Sequence, residues 1–495
     1  MTQQELPTLA ERSRPGRSSA ALGTSGISTE GILADLPVGL LASRPPALPE
    51  VSERDLVAHY TGLAHRTYSV DEGFYPLGSC TMKYNPRVAD RTAAEPGFTR
   101  VHPAQPAAQT QGLLELLVEL EGMLCALTGM SAVTFQPPAG AAGELTALLM
   151  IRAWLIASHG HARQRVLIPD QAHGTNAASA AAAGYRTTVL PSGPDGLVDV
   201  AALEAALDDD VAALMLTNPN TLGLFERRIA EIADVVHAAG AKLYYDGANL
   251  NAIVGHARPG DMGFDVVHIN THKTFATPHG GGGPGAGPVA VADDLVPYLP
   301  GPRPVALGEG VYDWTEPPHS IGRVSGWHGN IGVLVRAYTY IYLLGLDGLR
   351  ASSARAVLNA NYLLSLLPPQ LQAPFPGPVM HEFVVSARAL RREYGIRALD
   401  VAKALIDHGV HPPTMYFPLI VDEALMVEPT ETESAETLER FAAALAEIVR
   451  QAETNPESLR SAPHRTPVSR PDETSAARNV VARWPEAKSH GEVEG

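Results

Sequence analysis

Only two cysteines, Cys80 and Cys125, occur in 495 residues. They are too few for a disulfide framework and stand at no spacing that suits a metal, so a reducing cytoplasm is the expected home. No run of 18 apolar residues is present, which argues against a membrane-spanning segment. The opening MTQQELPTLAERSRPGRSS has no apolar stretch of the signal-peptide kind. Positive charge is also short: 37 Lys and Arg face 53 Asp and Glu, a net charge of −16. That sign excludes a nucleic-acid or anionic-membrane binder as the natural reading. Lysine is nearly as rare as cysteine, with only Lys83, Lys242, Lys273, Lys403 and Lys488.

What is present is the composition of an ordinary globular protein, 45% hydrophobic and 18% charged. Residues 1–75 read as an N-terminal arm, Ser-, Pro- and Gly-rich at first, with a helix at about 53–64. GLLELLVELEGMLCAL, from Gly112, is strongly helical. From Ser131 apolar runs alternate with helical patterns: SAVTFQ, RVLIP, TTVLP, VAALMLT, AKLYYD and FDVVHIN read as strands, with helices between most of them. Such alternation predicts crossover units, a mostly parallel sheet covered on both faces and an α/β domain spanning 76–350. The Pro-rich break LPPQLQAPFPGP introduces a smaller α+β domain, 351–455, and 456–495 reads as a polar surface tail.

In an open α/β sheet, ligands bind beyond the carboxyl ends of the strands. Those positions hold Gly140-Ala141-Ala142-Gly143-Glu144, Asp170 to His173, Asn218-Pro219-Asn220, Asp246 to Asn249 and Asn270 to Lys273. Lys273 stands at a strand end beside HGGGGPG; in so lysine-poor a chain it points to amine chemistry, since an amine that loses its proton forms a Schiff base and a guanidinium does not. Asp246 closes an apolar strand, so its carboxylate needs a cationic partner, and the protonated pyridine nitrogen of pyridoxal phosphate would be one. His173 is placed to lie flat on an aromatic cofactor. Gly140 to Gly143 open a helix, where backbone N–H groups and the helix dipole favour a phosphate. Each has a plainer reading, from a capping Asp to a structural His.

Two rival readings of 268–285 are weaker. His268 and His272 would share a helix face as zinc ligands, but on a strand an i, i+4 pair lies about 13 Å apart. GGGGPGAG lacks the Gly-Lys-Ser/Thr ending of a nucleotide loop.

NTHKTFATPHGGGGPGAGP resembles the lysine segment of the P-proteins of the glycine cleavage system. PLGSCTMKYNP (76–86), QPPAGAAGE (136–144), PDQAHGTNAASA (169–180), YYDGANLNAIVG (245–255), HPPTMYFPL (411–419) and LMVEPTETE (425–433) extend the resemblance in the same order over about 70–435. It implies fold type I of the pyridoxal-phosphate (PLP) enzymes, and it is similar to the lysine-bearing second subunit of the two-chain form. By the resemblance Lys273 carries the cofactor as a Schiff base, His173 stacks on the ring, Asp246 pairs with the pyridine nitrogen, and Gly140, Ala141, Ala142 and Gly143 cradle the phosphate. Asn218 and Asn249 fall near the ring oxygen, and Thr175 and His272 contact phosphate or substrate. The implied reaction decarboxylates glycine and passes the aminomethyl group to the lipoyl arm of the H-protein. The implied partners are a first P-protein subunit, in an α2β2 assembly, and lipoylated H-protein, with no nucleic acid or membrane.

Ala142 stands where Gln or His is common in the family, Ala139 and Pro138 replace more polar residues, and Thr271 replaces Leu. Backbone N–H groups can still hold a phosphate. Lys83 and Cys80 lie in GSCTMK, a structural loop on the plain reading and a segment near the site on the resemblance. The loop 279–287 is expected to line a channel for the lipoyl arm. A PLP decarboxylase without a lipoyl partner, and a non-catalytic assembly subunit, are the alternatives; Lys273 argues against the second.

Overall fold

The computed structural model describes residues 6–18, 31, 36–42, 48–280, 285–375 and 377–482. Four residues of the glycine-rich run, 281–284, therefore lie outside the described residues, and with them the middle of the expected channel loop. The chain packs as two units, Val70–Pro463 and a second made of Met1–Ser69 with His464–Gly495. In the second, the predicted helix near 53 is Glu53–Ala64, capped by Ser52, whose hydroxyl accepts the N–H of Asp55.

Within Val70–Pro463 the large sheet has seven strands: β1 Ala132–Thr134, β2 Arg165–Pro169, β3 Arg186–Leu190, β4 Val211–Thr217, β5 Lys242–Gly247, β6 Val266–Ile269 and β7 Val289–Val291. They lie in the order β1-β7-β6-β5-β4-β2-β3. β3, β2, β4, β5 and β6 run parallel, and β7 alone is antiparallel to its neighbours β6 and β1. The six sequence-predicted strands all form. β7 is the addition: three residues, Val-Ala-Val, are too short for a periodic signal.

The central strands β4, β5 and β6 are buried throughout because both faces are covered. Leu214, Leu216, Leu243, Tyr245 and Val267 enter one core, while Ala213, Met215, Tyr244 and Val266 enter the other. Burying each large apolar side chain is worth about 1.5–3 kcal/mol. The helix Gly140–His159 is the one described helix long and apolar enough to cross a membrane. Its Leu148, Met150, Ile151 and Leu155 are fully buried against the sheet, which accounts for that composition.

A hairpin of β8 Arg303–Gly308 and β9 Val311–Thr315 follows, then the long helix Ile331–Leu366, and after the Pro-rich break an antiparallel sheet of β10 Phe383–Ser386, β12 Ala424–Val427 and β11 Thr414–Met415 in that order. The helix Ala435–Thr454 packs its Leu438, Phe441, Leu445 and Ile448 into the core beneath. The stretch read as a tail from 456 begins differently: Pro456–Ser461 is a helix whose Leu459, with Ala462, is buried in that same core. Two apolar residues among polar ones gave too little periodicity to show it.

Lys83, the rival lysine, is a structural cation. Its fully buried amine donates to Asn251 Oδ1 at 2.9 Å, the Thr274 carbonyl at 2.8 Å, Glu431 Oε1 at 2.8 Å and Tyr340 Oη at 3.3 Å. It thereby ties the 77–86 loop to the turn carrying Lys273, the long helix and the segment after β12. Removing one partner of a buried ion pair costs about 3–5 kcal/mol. Lys83→Met should lower unfolding stability by about that amount in denaturant titration, and adding Glu431→Gln should restore part of it.

Candidate active site

The carboxyl ends of β2, β4, β5 and β6 reach one edge of the sheet, with Thr217 beside Asp246 and Asp246 beside His268 in register. Asp246 is almost wholly buried. Its Oδ2 accepts from Asn176 Nδ2 at 3.0 Å, and its Oδ1 accepts the Ala248 N–H at 3.0 Å and lies 3.5 Å from His268 Nε2. Burial opposes its charge, yet His268, the Lys273 ammonium and these two N–H donors together hold its pKa below the ordinary carboxylate value. No Lys or Arg side chain among the described residues lies within 4 Å of it. The carboxylate is thus held ionised by dipoles and nearby charge.

From Asp246 a chain of side-chain hydrogen bonds runs outward. Asn176 Nδ2 also donates to Glu144 Oε2 at 3.2 Å, Thr175 Oγ1 donates to Glu144 Oε1 at 2.8 Å, and His173 Nδ1 stands 2.8 Å from Thr175 Oγ1. His173 is the N-cap of the helix Gly174–Ala182, and its ring is exposed, 5.8 Å from that of Phe417. The sequence placed His173, Thr175 and Asp246 in one cleft; Glu144 and Asn176, which join them, lie within quoted motifs but had been given no role.

Gly140 begins the helix Gly140–His159, and its N-cap is Ala139, which offers no side-chain oxygen. The first-turn N–H groups of Gly140, Ala141 and Ala142 therefore lack the usual cap and can accept an anion. The glycines also serve packing. A Cβ on Gly140 would sit 2.4 Å from Asn270 Oδ1, and one on Gly143 would sit 2.9 Å from the Gly287 carbonyl. Gly287 donates its N–H to the Pro137 carbonyl at 2.9 Å, and a Cβ there would fall 2.2 Å from the Ala139 carbonyl. The described end of the glycine-rich run is thus pressed backbone to backbone on the start of this helix.

Lys273 lies in the short helix Thr271–Thr274 that follows β6, half-buried, and no hydrogen bond or ion pair among the described residues engages its amine. His272 and His279 flank it with ring centroids 4.7 Å apart. Burial, then the charges of His279 and Lys273, push His272 down to about 3. Burial and Lys273 push His279 down to about 4, so both imidazoles are neutral acceptors at pH 7. His268 and His272 do not share a strand: His268 is in β6 and His272 is on the helical turn. His268 is instead held by Tyr244 Oη on Nδ1 at 2.5 Å and by Asn270 Nδ2 at 2.9 Å.

Asn218 and Asn249 part company with the other candidates. Asn218 Oδ1 accepts the Glu226 N–H at 2.9 Å and its Nδ2 faces Met262 Sδ, so this side chain braces the loop after β4. Asn249 Nδ2 donates to the Pro219 carbonyl at 3.0 Å and to Glu382 Oε1 at 3.1 Å, while its buried Oδ1 has no partner. Cys80 and Cys125 are free thiols, each pushed up to about 11 by burial, which suits neither to thiolate redox chemistry.

An uncapped helix N-terminus for a phosphate, an ionised buried Asp without a Lys or Arg for a pyridinium, and an unengaged lysine amine form a donor set that fits PLP. His272 and the fully buried His381, also pushed down to about 3 by burial, stay neutral when folded but bind a proton when unfolded. Stability should accordingly fall as pH drops below about 6.5, by up to about 1.4 kcal/mol per pH unit for each histidine. Chemical denaturation of wild type and His272→Gln between about pH 6.5 and 4 reads this; the variant should show the shallower slope.

The family of the glycine cleavage system P-protein matches residues 18–311, and the glycine dehydrogenase C-terminal domain matches 352–465. A chain of Thermotoga petrophila, named "Probable glycine dehydrogenase (decarboxylating) subunit 2", is 54% identical over 477 residues, 96% of this chain and 99% of its own length. One of Halalkalibacterium halodurans with the same name is 52% identical over 484 residues, 98% and 99% of the two. A crystal structure of an inhibitor-bound glycine decarboxylase (P-protein) superposes with a TM-score of 0.72 at 24% identity, covering 85% of this chain and 95% of that one. A Burkholderia pseudomallei sphingosine-1-phosphate lyase superposes at 0.62 with 16% identity, over 86% and 96%. The fold is that of the fold-type-I PLP enzymes, and the chain belongs to the glycine cleavage system P-protein family.

Proposed function

We propose that this chain is the lysine-bearing subunit of a two-chain P-protein: it decarboxylates glycine with PLP and passes the aminomethyl group to the lipoyl arm of an H-protein. The observation that carries the reading is an unengaged Lys273 amine whose charge is felt at a buried, ionised Asp246, in a chain of this family. A first P-protein subunit, in an α2β2 assembly, is the proposed partner. Residues 76–350 and 351–455 are assigned as large and small domains. A cytoplasmic setting is supported by the two free cysteines.

When bound, PLP supplies an aldehyde carbon for amines and a ring that withdraws electrons from the glycine α-carbon. The protein's part is to hold and to move protons. The N–H groups of Gly140 to Ala142 are assigned to the phosphate, with Thr175 and His272 nearby. Asp246 is assigned to hold the proton on the pyridine nitrogen; the Asn176 and Ala248 donors keep it ionised for that task. His173 is assigned to one face of the ring, its angle set by Thr175 and through it by Glu144. Lys273 would be the covalent anchor of the group, and its amine is the one placed to carry a proton when it is free. His272 and His279, being neutral, accept hydrogen bonds without adding positive charge.

Asp246→Asn keeps the shape of the side chain but removes the ring-nitrogen counter-charge, and should cut glycine-dependent CO₂ release by about 10²–10³-fold, a loss typical of one preorganised electrostatic group. Release should need all of the partner subunit, lipoylated H-protein and glycine. CO₂ release that is unchanged when lipoylated H-protein is omitted would favour a decarboxylase without a lipoyl partner.

A further inference from the structure

Three carboxylates, Glu382, Glu428 and Glu431, are buried in the segments flanking β10 and β12, at the end of the small sheet that faces the 77–83 loop. Only one has a cation. Glu431 receives Lys83 at 2.8 Å, together with Ser352 Oγ at 2.7 Å and Asn251 Nδ2 at 3.2 Å, and its pKa is held down, burial being outweighed by Lys83. Glu382 and Glu428 have no Lys or Arg within 4 Å among the described residues. Ligand-type atoms of His381, Glu382 and Glu428 all lie within 4.8 Å of one another. His381 Nε2 is 3.7 Å from Glu428 Oε1, and neither of its ring nitrogens has a hydrogen-bond partner.

The backbone is bent to serve this pair. Ser79 and Thr81 both adopt left-handed φ angles, 62° and 49°, unusual for any residue with a Cβ and more so for a β-branched one. In that conformation Ser79 N–H donates to Glu382 Oε2 at 2.7 Å, and Thr81 N–H donates to Glu428 Oε2 at 2.8 Å, while Thr81 Oγ1 donates to Glu428 Oε1. Asn249 Nδ2 completes the donors on Glu382. These neutral donors stabilise one negative charge well; two carboxylates so close and so dry do not both ionise.

We infer that Glu382 and Glu428 share one proton at neutral pH and serve the site as its proton store beside Lys273. The inference rests on the function proposed above for its chemical use, but not for the sharing itself. The titratable groups around the pair are the neutral His381, the raised thiol of Cys80, the Lys83–Glu431 ion pair and Lys273, whose field is felt at Cys80, His381, Glu382 and Glu428 alike. Burial raises both members, Glu428 to about 7.

The proposed reaction moves one proton twice. Glycine enters as an ammonium and sheds a proton so that its nitrogen can replace that of Lys273, which leaves as the free amine and takes its place back when the product departs. Its bond to the carboxylate breaks, CO₂ leaves, and the electron pair forms a carbon–sulfur bond at the lipoyl disulfide. The S–S bond breaks with its electrons on the other sulfur, which takes up a proton to leave as a thiol. The pair receives the first proton and returns it in the second step, so none need cross from solvent. Glu382 and Glu428 are positioning residues for this proton.

Infrared spectroscopy of the full chain, without glycine or H-protein, tests the sharing directly. A protonated-carboxyl carbonyl band that shifts with ¹³C-glutamate is expected at pH 7. It should vanish in both Glu382→Gln and Glu428→Gln, since each leaves a single well-donated carboxylate. In wild type alone, which needs no variant to fold, the band should weaken without vanishing as pH rises from about 5 to about 9, as the pair passes from two protons to one, against the ordinary Glu value of about 4.3. No band, one that persists in both variants, one lost in a single variant only, or one that does not change with pH overturns the sharing. Single-turnover thiol appearance should fall along the same pH curve in wild type and lose that limb in Glu428→Asp or Glu428→Gln; a limb that stays put overturns the role as store. Failure of the functional reading would show separately, as no glycine-dependent CO₂ at any pH with the band intact.

Discussion

The site depends on keeping Asp246 ionised while it is buried. Taking an isolated carboxylate out of water ordinarily neutralises it. Here β5 delivers it to the edge of the sheet, where Asn176, the Ala248 N–H, His268 and the nearby Lys273 make the charged form the stable one. Because Asn176 also holds Glu144, and Glu144 holds Thr175, the same constraint fixes the start of the helix Gly140–His159 relative to His173. The uncapped N–H groups, the exposed imidazole and the carboxylate thus stand on one hydrogen-bonded frame built across the three connections that follow β1, β2 and β5.

That frame exists because the sheet is parallel in its centre. Parallel strands return their carboxyl ends to a common edge, so polar residues far apart in sequence meet there, in the last residues of the strands or just beyond them. The small antiparallel sheet brings a second set, His381, Glu382 and Glu428, from 300 or more residues beyond the loop at 79–81 that clasps them. On the proposed function the first set organises positive charge at the ring nitrogen and Lys273; on the proton-sharing inference the second offers carboxylates with a single vacancy for a proton.

Much of this was legible in the sequence, and what was missed has physical reasons. The VAALML of VAALMLT and the LYY of AKLYYD are apolar because both faces are buried, so the central strands and the residues at their ends could be placed from pattern alone. Lys273 stood out by the rarity of lysine. β7 was too short to show periodicity, and Leu459 was hidden in a polar tail by its neighbours. Lys83 could not be told from a functional lysine until Glu431 was seen beside it. Asn218 occupied the right strand end, but its side chain turns to the Glu226 N–H, a choice set by a local loop rather than by strand pattern. The Glu382–Glu428 pair is a long-range contact, and no single-sequence periodicity reports such a meeting.

The measurement that tests the central claim most directly is borohydride reduction of the protein with PLP, followed by mass mapping of the modified peptide. The account predicts a pyridoxyl group on Lys273 alone, since Lys83 and Lys242 are buried in ion pairs with Glu431 and with Asp265 and Asp294. A label on either of those lysines, or none on Lys273 with the partner subunit present, would contradict it.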